Sequence, residues 1–318
     1  VSRATASRVF SGNPSVSDEA RRAVERTAAE LGYVPNRAAR SLAAGRSESV
    51  GVVIPEPSSR VFMDPLLPRL LSGIGEELSA NGLQMVLFAP QTTVDVQRLE
   101  QYLVGGHVDA VLLLALHESD TVPARLHARV VPMVFGGRPR NAIVVSFVDV
   151  DNHAGGRAAT EHLIEQGRRR IAHIAGPTHV ASVRDRLQGF RDAMWQAAIR
   201  SDIVEWGELD RDGGEMAMGR LLALGHEVDA VFAASDAMAA GAMWALQVLG
   251  RRVPDDVAVI GFDDIELARY TEPPLTTVRQ PIVELGRELA RQLLRLAGGE
   301  EIEPTLVLPT SLVVRESG

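Results

Sequence analysis

From Ser49 onward the sequence alternates short runs rich in Val, Ile and Leu with longer amphipathic stretches. The runs are SVGVVIP, LQMVLFAP, VDAVLLLAL, VVPMVFGG and AIVVSF, followed by RIAHIAGP, VDAVFAASD and VAVIGFDD. Nearly continuous apolar strands separated by helices are typical of parallel sheets that are covered by helices on both faces. The runs form two clusters, which predicts an α/β fold with two lobes, the second beginning near Gly167.

Composition narrows the possible functions. With 318 residues, of which 46% are hydrophobic, the chain is long enough for two globular domains and a small third one. No apolar run approaches the roughly 18 to 20 residues of a membrane span, and we expect a cytoplasmic protein that is not exported. Cysteine is absent and all 33 basic residues are arginine. Disulfides, thiolate metal sites, cysteine nucleophiles and lysine-based catalysis are therefore excluded.

Charge is distributed unevenly along the chain. The net charge is −8, but residues 1–47 contain eight arginines and four carboxylates, a balance of +4 that leaves −12 for the remainder. An acidic protein has no general affinity for nucleic acid, whereas a small basic end can bind it locally.

The first residues, VSRATASRVF, predict a helix with Ala6, Val9 and Phe10 on one face and small polar residues on the other. A second helix should begin after Ser17, which has the properties of an N-cap, and should stop at Gly32. The following segment, NRAARSLAAGRS, has marginal helix propensity. We expect it to be helical only when a partner holds it.

Polar residues follow several of the predicted strands, where ligands bind in open parallel sheets. They are Asp149, Asp151, Asn152, Ser235, Asp236, Asp263 and Asp264, with Arg186 in the stretch after RIAHIAGP. Carboxylates and a forked guanidinium suit a polyhydroxylated ligand, because each can bind two adjacent hydroxyl groups. From these residues alone, a structural Arg186–Asp263 pair is equally compatible. Capping of helices by Asp149 and Asp151 is favoured over a metal site with His153.

Several segments together resemble the LacI/GalR family of bacterial transcription regulators. They are VSRATASRVF, VSDEARRAVERTAAELGYVPNRAARSL, EHLIEQGRRRIAHIAGP, DRLQGFRDAM, ASDAMAAGAMWAL, VPDDVAVIGFDDIELARY and PPLTTVRQP. The resemblance implies a two-lobed, periplasmic-binding-protein-like core of two parallel sheets flanked by helices, preceded by a small all-α headpiece and a hinge helix. The family's first headpiece helix normally lies upstream of Val1, so we expect the sequence to begin within the headpiece.

The resemblance also implies domain boundaries. We predict a partial helix-turn-helix headpiece at 1–35, a hinge helix at 36–47, an N-lobe at 48–166 and 281–307, and a C-lobe at 167–280 and 308–318.

By the same resemblance, the N-terminal segments bind operator DNA. The predicted contacts are Ser2, Arg3, Ala4, Thr5, Ser7, Arg8, Tyr33, Asn36, Arg37, Arg40, Ser41 and Leu42. An arginine can bind guanine with two hydrogen bonds, and Ala4 can contact a thymine methyl group. Leu42 is expected to insert from the minor groove together with its counterpart from a second subunit. A homodimer on a near-palindromic operator follows.

The effector contacts implied by the resemblance lie in the two-lobed core. They are Phe62, Asp64, Leu66, Arg186, Ser235, Asp263 and Gln280. We expect Asp236 to cap the helix AMAAGAMWAL, and Trp195 and Trp244 to be core residues. Aromatic residues common at the family's site are replaced here, for example by Arg211, where the family's Gly-Asp-aromatic motif reads Leu209, Asp210, Arg211. The effector is expected to be a mono- or oligosaccharide. The arginine-only, alanine-rich composition is typical of high-GC bacteria, in which many regulators of this kind control polysaccharide use, so we expect a cello-oligosaccharide or another plant-derived sugar.

The sequence thus predicts a sugar-controlled transcription regulator, most simply a cytoplasmic repressor that joins the nucleoid when bound to its operator. Neither a catalytic residue nor a metal or cofactor site is expected. The sequence has no GxGxxG after the first strand, no GxxxxGK[ST], no HExxH, and no GxSxG in a strand-turn-helix context. Two alternatives remain at this point, a sugar-binding protein of a transporter and a carbohydrate enzyme. Whether the effector acts as inducer or corepressor is open.

Overall fold

A computed structural model describes residues 1–10, 15–33, 46–54, 64–114, 122–139, 146–200 and 202–318. The predicted contacts Asn36, Arg37, Arg40, Ser41, Leu42 and Phe62 lie outside these ranges.

Two short helices form the described part of the N-terminal end, α1 (Arg3–Phe10) and α2 (Asp18–Glu30). They pack against each other, and Val9 and Val24 are the buried side chain of each. The Ser17 hydroxyl accepts a hydrogen bond from the Ala20 backbone N–H, which confirms the predicted N-cap. Gly32 takes a φ of +60° just after the helix, as a stop signal should.

The first lobe is built on a six-stranded parallel sheet in the order β11-β5-β4-β3-β1-β2. Its strands are β1 (Ser49–Val53), β2 (Gln84–Phe88), β3 (Ala110–Leu114), β4 (Met133–Gly136), β5 (Ser146–Val150) and β11 (Thr305–Leu308). Its helices are α3 (Leu67–Ala80), α4 (Thr93–Val104), α5 (Val122–Ala128) and α10 (Ile282–Ala297). Separate apolar clusters cover the two faces of the sheet, as the continuous strand hydrophobicity predicts.

The second lobe repeats this design with the strand order β12-β10-β9-β8-β6-β7. Its strands are β6 (Ile171–Ala175), β7 (Ile203–Trp206), β8 (Ala230–Ala233), β9 (Ala258–Asp263), β10 (Thr276–Arg279) and β12 (Ser311–Val313). Its helices are α6 (Asn152–Glu165), α7 (Ala181–Gln196), α8 (Arg211–Ala223) and α9 (Asp236–Val248). All its strand pairs are parallel except β10 with β12.

The chain passes between the lobes three times, after β5, after β10 and after β11. Helix α6 precedes the boundary predicted at residue 167, yet its Ala159 and Leu163 pack with Ile171 and Phe190 in the second lobe. Helix α10 packs on the first sheet, after the crossover at Gln280. The carboxyl ends of both sheets meet where the crossovers lie, and this places the polar strand ends between the lobes.

Two tryptophans were wrongly predicted to be core residues. Trp195 on α7 is 67% exposed and Trp244 on α9 is 45% exposed. Each has an arginine above its ring, Arg200 at 4.5 Å from the Trp195 centroid and Arg211 at 5.2 Å from the Trp244 centroid. The guanidinium groups cover aromatic faces that the core does not.

Candidate functional site

Arg186 is the centre of a buried polar cluster between the lobes. It projects from α7, and its Nε donates to Asn152 Oδ1 at 2.9 Å while its terminal nitrogen donates to the Ala234 carbonyl. The same terminal nitrogen lies 3.5 Å from Asp263 Oδ1, and the guanidinium stands 3.7 Å above the Phe262 ring. Burial lowers the pKa of Arg186, and the charge of Asp263 opposes that effect. The fork is thus held rigidly before any ligand arrives.

Asp263 ends strand β9 in an unusual backbone conformation. Its φ is +120° and that of Asp264 is +53°, a region that non-glycine residues enter at a cost of about 1–3 kcal/mol. The strained turn turns the Asp263 carboxylate toward Gln280, whose Nε2 donates to Oδ1 at 2.6 Å. Burial raises the pKa of Asp263, and Arg186 opposes the rise. The predicted residues Arg186, Asp263 and Gln280 are therefore brought together.

Two arginines stabilise the turn at Asp263 and Asp264 through the Asp264 side chain. The Asp264 carboxylate accepts hydrogen bonds from Arg279 and Arg315. Although burial acts in the opposite direction, these hydrogen bonds lower the pKa of Asp264. From the first lobe, Arg69 donates to the Asp264 carbonyl at 3.4 Å. The two lobes thus touch directly at this turn.

The expected roles of Ser235 and Asp236 need correction. Ser235 is the N-cap of α9, where its hydroxyl oxygen accepts from the Met238 N–H at 3.2 Å, so the predicted cap at Asp236 is wrong. Asp236 is fully buried and accepts hydrogen bonds from the Ile265 N–H and the Thr277 hydroxyl. Burial, followed by the charge of Asp263, raises the pKa of Asp236. Ser235 stays a predicted contact, since its hydroxyl proton is available to a ligand.

From the first lobe, Asp64 and Leu66 lie at the start of α3. Asp64 is exposed to solvent on one side, and the protein around it desolvates its carboxylate. This desolvation raises the pKa of Asp64, and the hydrogen bond that the carboxylate accepts from the Leu66 N–H lowers it in part. The charge of Asp64 also contributes to raising the pKa of Asp263, which belongs to the second lobe, although burial is the larger cause. Leu66 is half-buried and packs on the first core.

Three residues of this region were missed as site residues. Asp149 accepts from the Arg138 backbone N–H at 3.0 Å and from Asn152 Nδ2 at 3.2 Å. Arg138 in turn binds the Asp185 carboxylate of the second lobe. Asp149 could be noticed in the sequence because it follows a predicted strand. Arg138 and Asp185 lie in no motif or strand-end pattern that would identify them.

Asp151 caps α6 through its side chain, as expected for a polar strand end. In the described ranges no group of three or more His, Asp and Glu side chains is arranged to hold a metal ion. Nor does any helix there have the length and apolar character needed to cross a bilayer.

The headpiece presents a small polar face. Arg3, Ala4, Ser7 and Arg8 of α1 are exposed, while Thr5 is half-buried. Ser2 caps α1, with its hydroxyl oxygen accepting from the Thr5 N–H at 3.1 Å. The exposed Tyr33 lies with its ring 5.7 Å from that of Phe10, beside the end of the helix. A short helix of this kind can enter a major groove, because small side chains allow close approach and arginines contact base edges and phosphates.

Comparisons with known proteins agree with both regions. Residues 1–36 match the bacterial regulatory proteins of the lacI family, and residues 160–318 match a periplasmic binding protein-like domain. The HTH-type transcriptional regulator CelR of Thermobifida fusca is 48% identical over 100% of this chain and 95% of its own. The chain belongs to the LacI family of bacterial regulatory proteins.

Other LacI family members show the same extent of similarity. The GalR regulator of Escherichia coli strain K12 is 34% identical over 100% of this chain and 92% of its own. A solved CelR–cellobiose complex has a TM-score of 0.82 at 46% identity and covers 100% of this chain and 96% of its own. A lac repressor dimer bound to operator has a TM-score of 0.89 at 29% identity, with coverages of 100% and 95%. As a LacI family member the chain is a DNA-binding transcription regulator and not an enzyme, which confirms the predicted fold and function class.

Proposed function

We propose that this chain is an operator-specific repressor whose DNA affinity is controlled by a saccharide bound between its lobes. The observation that carries the proposal is the buried cluster of Arg186, Asp263 and Gln280 where the carboxyl ends of the sheets meet. An ionised carboxylate, a forked guanidinium and an amide can together bind adjacent hydroxyl groups of a sugar ring. The exposed Asp64 and the buried Ser235 supply further polar groups.

A cello-oligosaccharide is the proposed effector class. Support comes from the similarity to CelR and from the CelR–cellobiose complex, in which a disaccharide is bound to a relative of nearly half identity. Arg186 would bind hydroxyl groups of the ring nearest the second lobe, and Asp263 would accept from the same ring.

The headpiece is proposed to bind a near-palindromic operator as one half of a homodimer. The similarity to the operator-bound lac repressor dimer supports both features. Such a regulator works in the cytoplasm and joins the nucleoid when it occupies its operator. Saccharide binding would re-angle the first lobe, separate the paired hinge segments at 36–47, and so release DNA. A coupling of about 1–3 kcal/mol between the two sites is sufficient.

The test is fluorescence anisotropy of a near-palindromic operator pool, titrated with the full chain in the presence of mono- and disaccharides. We expect tight operator binding that cellobiose weakens. Arg186→Ala should bind operator but lose the response to cellobiose. The matched control is Arg191→Ala on the same helix, because Arg191 forms an exposed pair with Asp202 away from the cleft.

Two results would contradict the proposal. If Arg186→Ala still released DNA at the same cellobiose concentration as the native chain, the effector would not bind at this cluster. If the chain bound saccharide but no operator, the headpiece would not act as a DNA-binding module.

A further inference from the structure

An ion pair crosses from one lobe to the other beside the Arg186 cluster. Arg138 follows strand β4 of the first lobe, and its terminal nitrogen contacts both carboxylate oxygens of Asp185 on α7. Half of the Arg138 side chain and about a quarter of the Asp185 side chain are exposed, so solvent screens the pair only in part. The position of the pair matters because Asp185 immediately precedes Arg186 in the chain.

Hydrogen bonds connect the two partners a second time, by a different route. The Arg138 backbone N–H binds Asp149, Asp149 accepts from Asn152 Nδ2, and Asn152 Oδ1 accepts from Arg186 Nε. The circuit then returns through the backbone to Asp185. Asn152 and Arg186 are buried. Opening the lobes at this edge must therefore break the ion pair or shift the partner that orients Arg186.

We propose that the Arg138–Asp185 pair is a cross-cleft latch that holds the lobes together and thereby positions Arg186 for the effector. The proposal rests on the effector role of Arg186 given above. The ion pair lowers the free energy of the closed conformation relative to the open one. A ligand that binds only to the closed cleft therefore binds more tightly when the ion pair is intact. Ion pairs with this degree of exposure contribute about 0.2–1 kcal/mol, which corresponds to about a 1.4- to five-fold change in affinity.

The side chains can be removed with little disturbance of the rest of the circuit. Arg138→Gln keeps the backbone N–H that binds Asp149, and Asp185→Asn keeps the size of the side chain. If the two residues act as a pair, the double variant should be no more affected than either single variant. The matched control is Arg191→Gln with Asp202→Asn, an exposed pair that starts from the same helix and lies within the second lobe.

The direct measurement is the distance between the lobes, without any saccharide. Because the chain contains no cysteine, Gln101→Cys on α4 and Gln196→Cys on α7 place two spin labels at unique, exposed positions. Pulsed electron paramagnetic resonance on the full chain should show more long distances in Arg138→Gln and in Asp185→Asn, equally more in the double variant, and no change in the control pair. The Kd for cellobiose should rise about 1.4- to five-fold in the same three variants.

Unchanged distances in all three variants would overturn the latch, as would single effects that simply add in the double variant. Its failure is distinct from failure of the proposed function. A chain that binds no saccharide would refute the effector assignment, while the distance measurement would still decide whether the latch exists.

Discussion

At the residue scale, His173 shows how a titratable group can be carried inside a core. It lies fully buried in β6, stacked on Phe190 and packed on Phe232, and its Nδ1 hydrogen-bonds to the Phe232 carbonyl at 2.8 Å. Among the residues that the structure describes, none is a hydrogen-bond partner of Nε2. Burial lowers the pKa of His173 to about 3. The folded protein therefore holds a neutral imidazole well below the ordinary histidine pKa.

This makes stability depend on pH. Since the unfolded chain takes up a proton near the ordinary histidine pKa and the folded chain only near 3, stability should fall as pH drops through that window. His173→Phe keeps the aromatic packing and removes the titration. Its unfolding free energy should depend less on pH between 6 and 4, by at most about 1.4 kcal/mol per pH unit. Urea unfolding across this range measures the slope.

The exposed His127 provides the control for this series. His127→Gln should keep the native slope. Equal slopes in the native chain and in His173→Phe would show that His173 does not govern the acid response.

Asp263 leads to a second pH prediction. Burial raises its pKa, so the carboxylate becomes protonated on acidification earlier than an ordinary aspartate does. A protonated carboxyl accepts fewer hydroxyl hydrogen bonds, and the effector Kd should therefore increase as pH falls, with a midpoint above the usual value. Calorimetric titration with cellobiose from pH 8 to pH 5 tests this, and Asp263→Asn should bind weakly with no such midpoint. A Kd independent of pH in the native chain would contradict the direct contact.

The sequence placed polar residues at the strand ends that the fold brings together, but not their individual local roles. Arg186, Asp263 and Gln280 were predicted from their resemblance to family motifs, and the fold places them in one buried cluster. Asp236 was assigned to a helix cap because it begins a helix, whereas the preceding Ser235 caps it and Asp236 turns inward to Thr277. A one-residue shift in a cap changes no periodicity and leaves no trace in the sequence.

At the element scale, the close packing of α6 on α7 determines where Arg186 stands. A Cβ at Gly156 on α6 would collide with the backbone carbonyl of Arg186. Gly156→Ala must therefore push the helices apart, at a cost of about 1–3 kcal/mol. Because the displaced backbone carries Arg186, effector affinity should fall together with stability. Thermal unfolding and a cellobiose titration measure both.

Gly219 on α8 supplies a matched control, because a Cβ there would meet no atom of the described residues within 4 Å beyond the adjacent backbone of its own helix. Gly219→Ala should stabilise the protein by about 0.5–1 kcal/mol through helix propensity and leave effector affinity unchanged. If both variants behaved alike, the close approach of α6 to α7 would not be what positions Arg186.

Amphipathic periodicity proved a poor guide to the tryptophans. Trp195 and Trp244 fall on apolar stripes of α7 and α9, which predicts burial. In the fold each lies at the edge of its helix's buried face, where an arginine covers the ring instead of a core. Spacing along one helix identifies a face, but how far a neighbouring element extends over that face is settled only by tertiary packing.

At the scale of the whole molecule, the sequence predicted the two-lobed α/β design well, because the central parallel strands β1, β3, β6 and β8 are buried on both faces and are therefore predominantly apolar. What it could not supply was contact between parts far apart in sequence. The latch joins residues 47 positions apart, and Arg69 meets Asp264 across 195 positions. Such pairs depend on how the two lobes pack against each other, and no local sequence pattern specifies that packing.

Charge also divides the molecule, and this determines how its two ligands should respond to salt. The first 47 residues carry +4 and the remainder −12, so DNA is attracted to the headpiece and repelled by the core. Operator binding releases counterions, and its log affinity should fall steeply and linearly with log salt concentration. Saccharide is uncharged, and its affinity should change little over the same range. Anisotropy with operator and calorimetry with cellobiose, both from 50 to 300 mM salt, make the comparison.

Operator affinity that did not vary with salt would contradict binding of the headpiece through phosphate contacts. A cellobiose affinity that depended strongly on salt would show that exposed surface charges, rather than the buried cluster, determine effector binding.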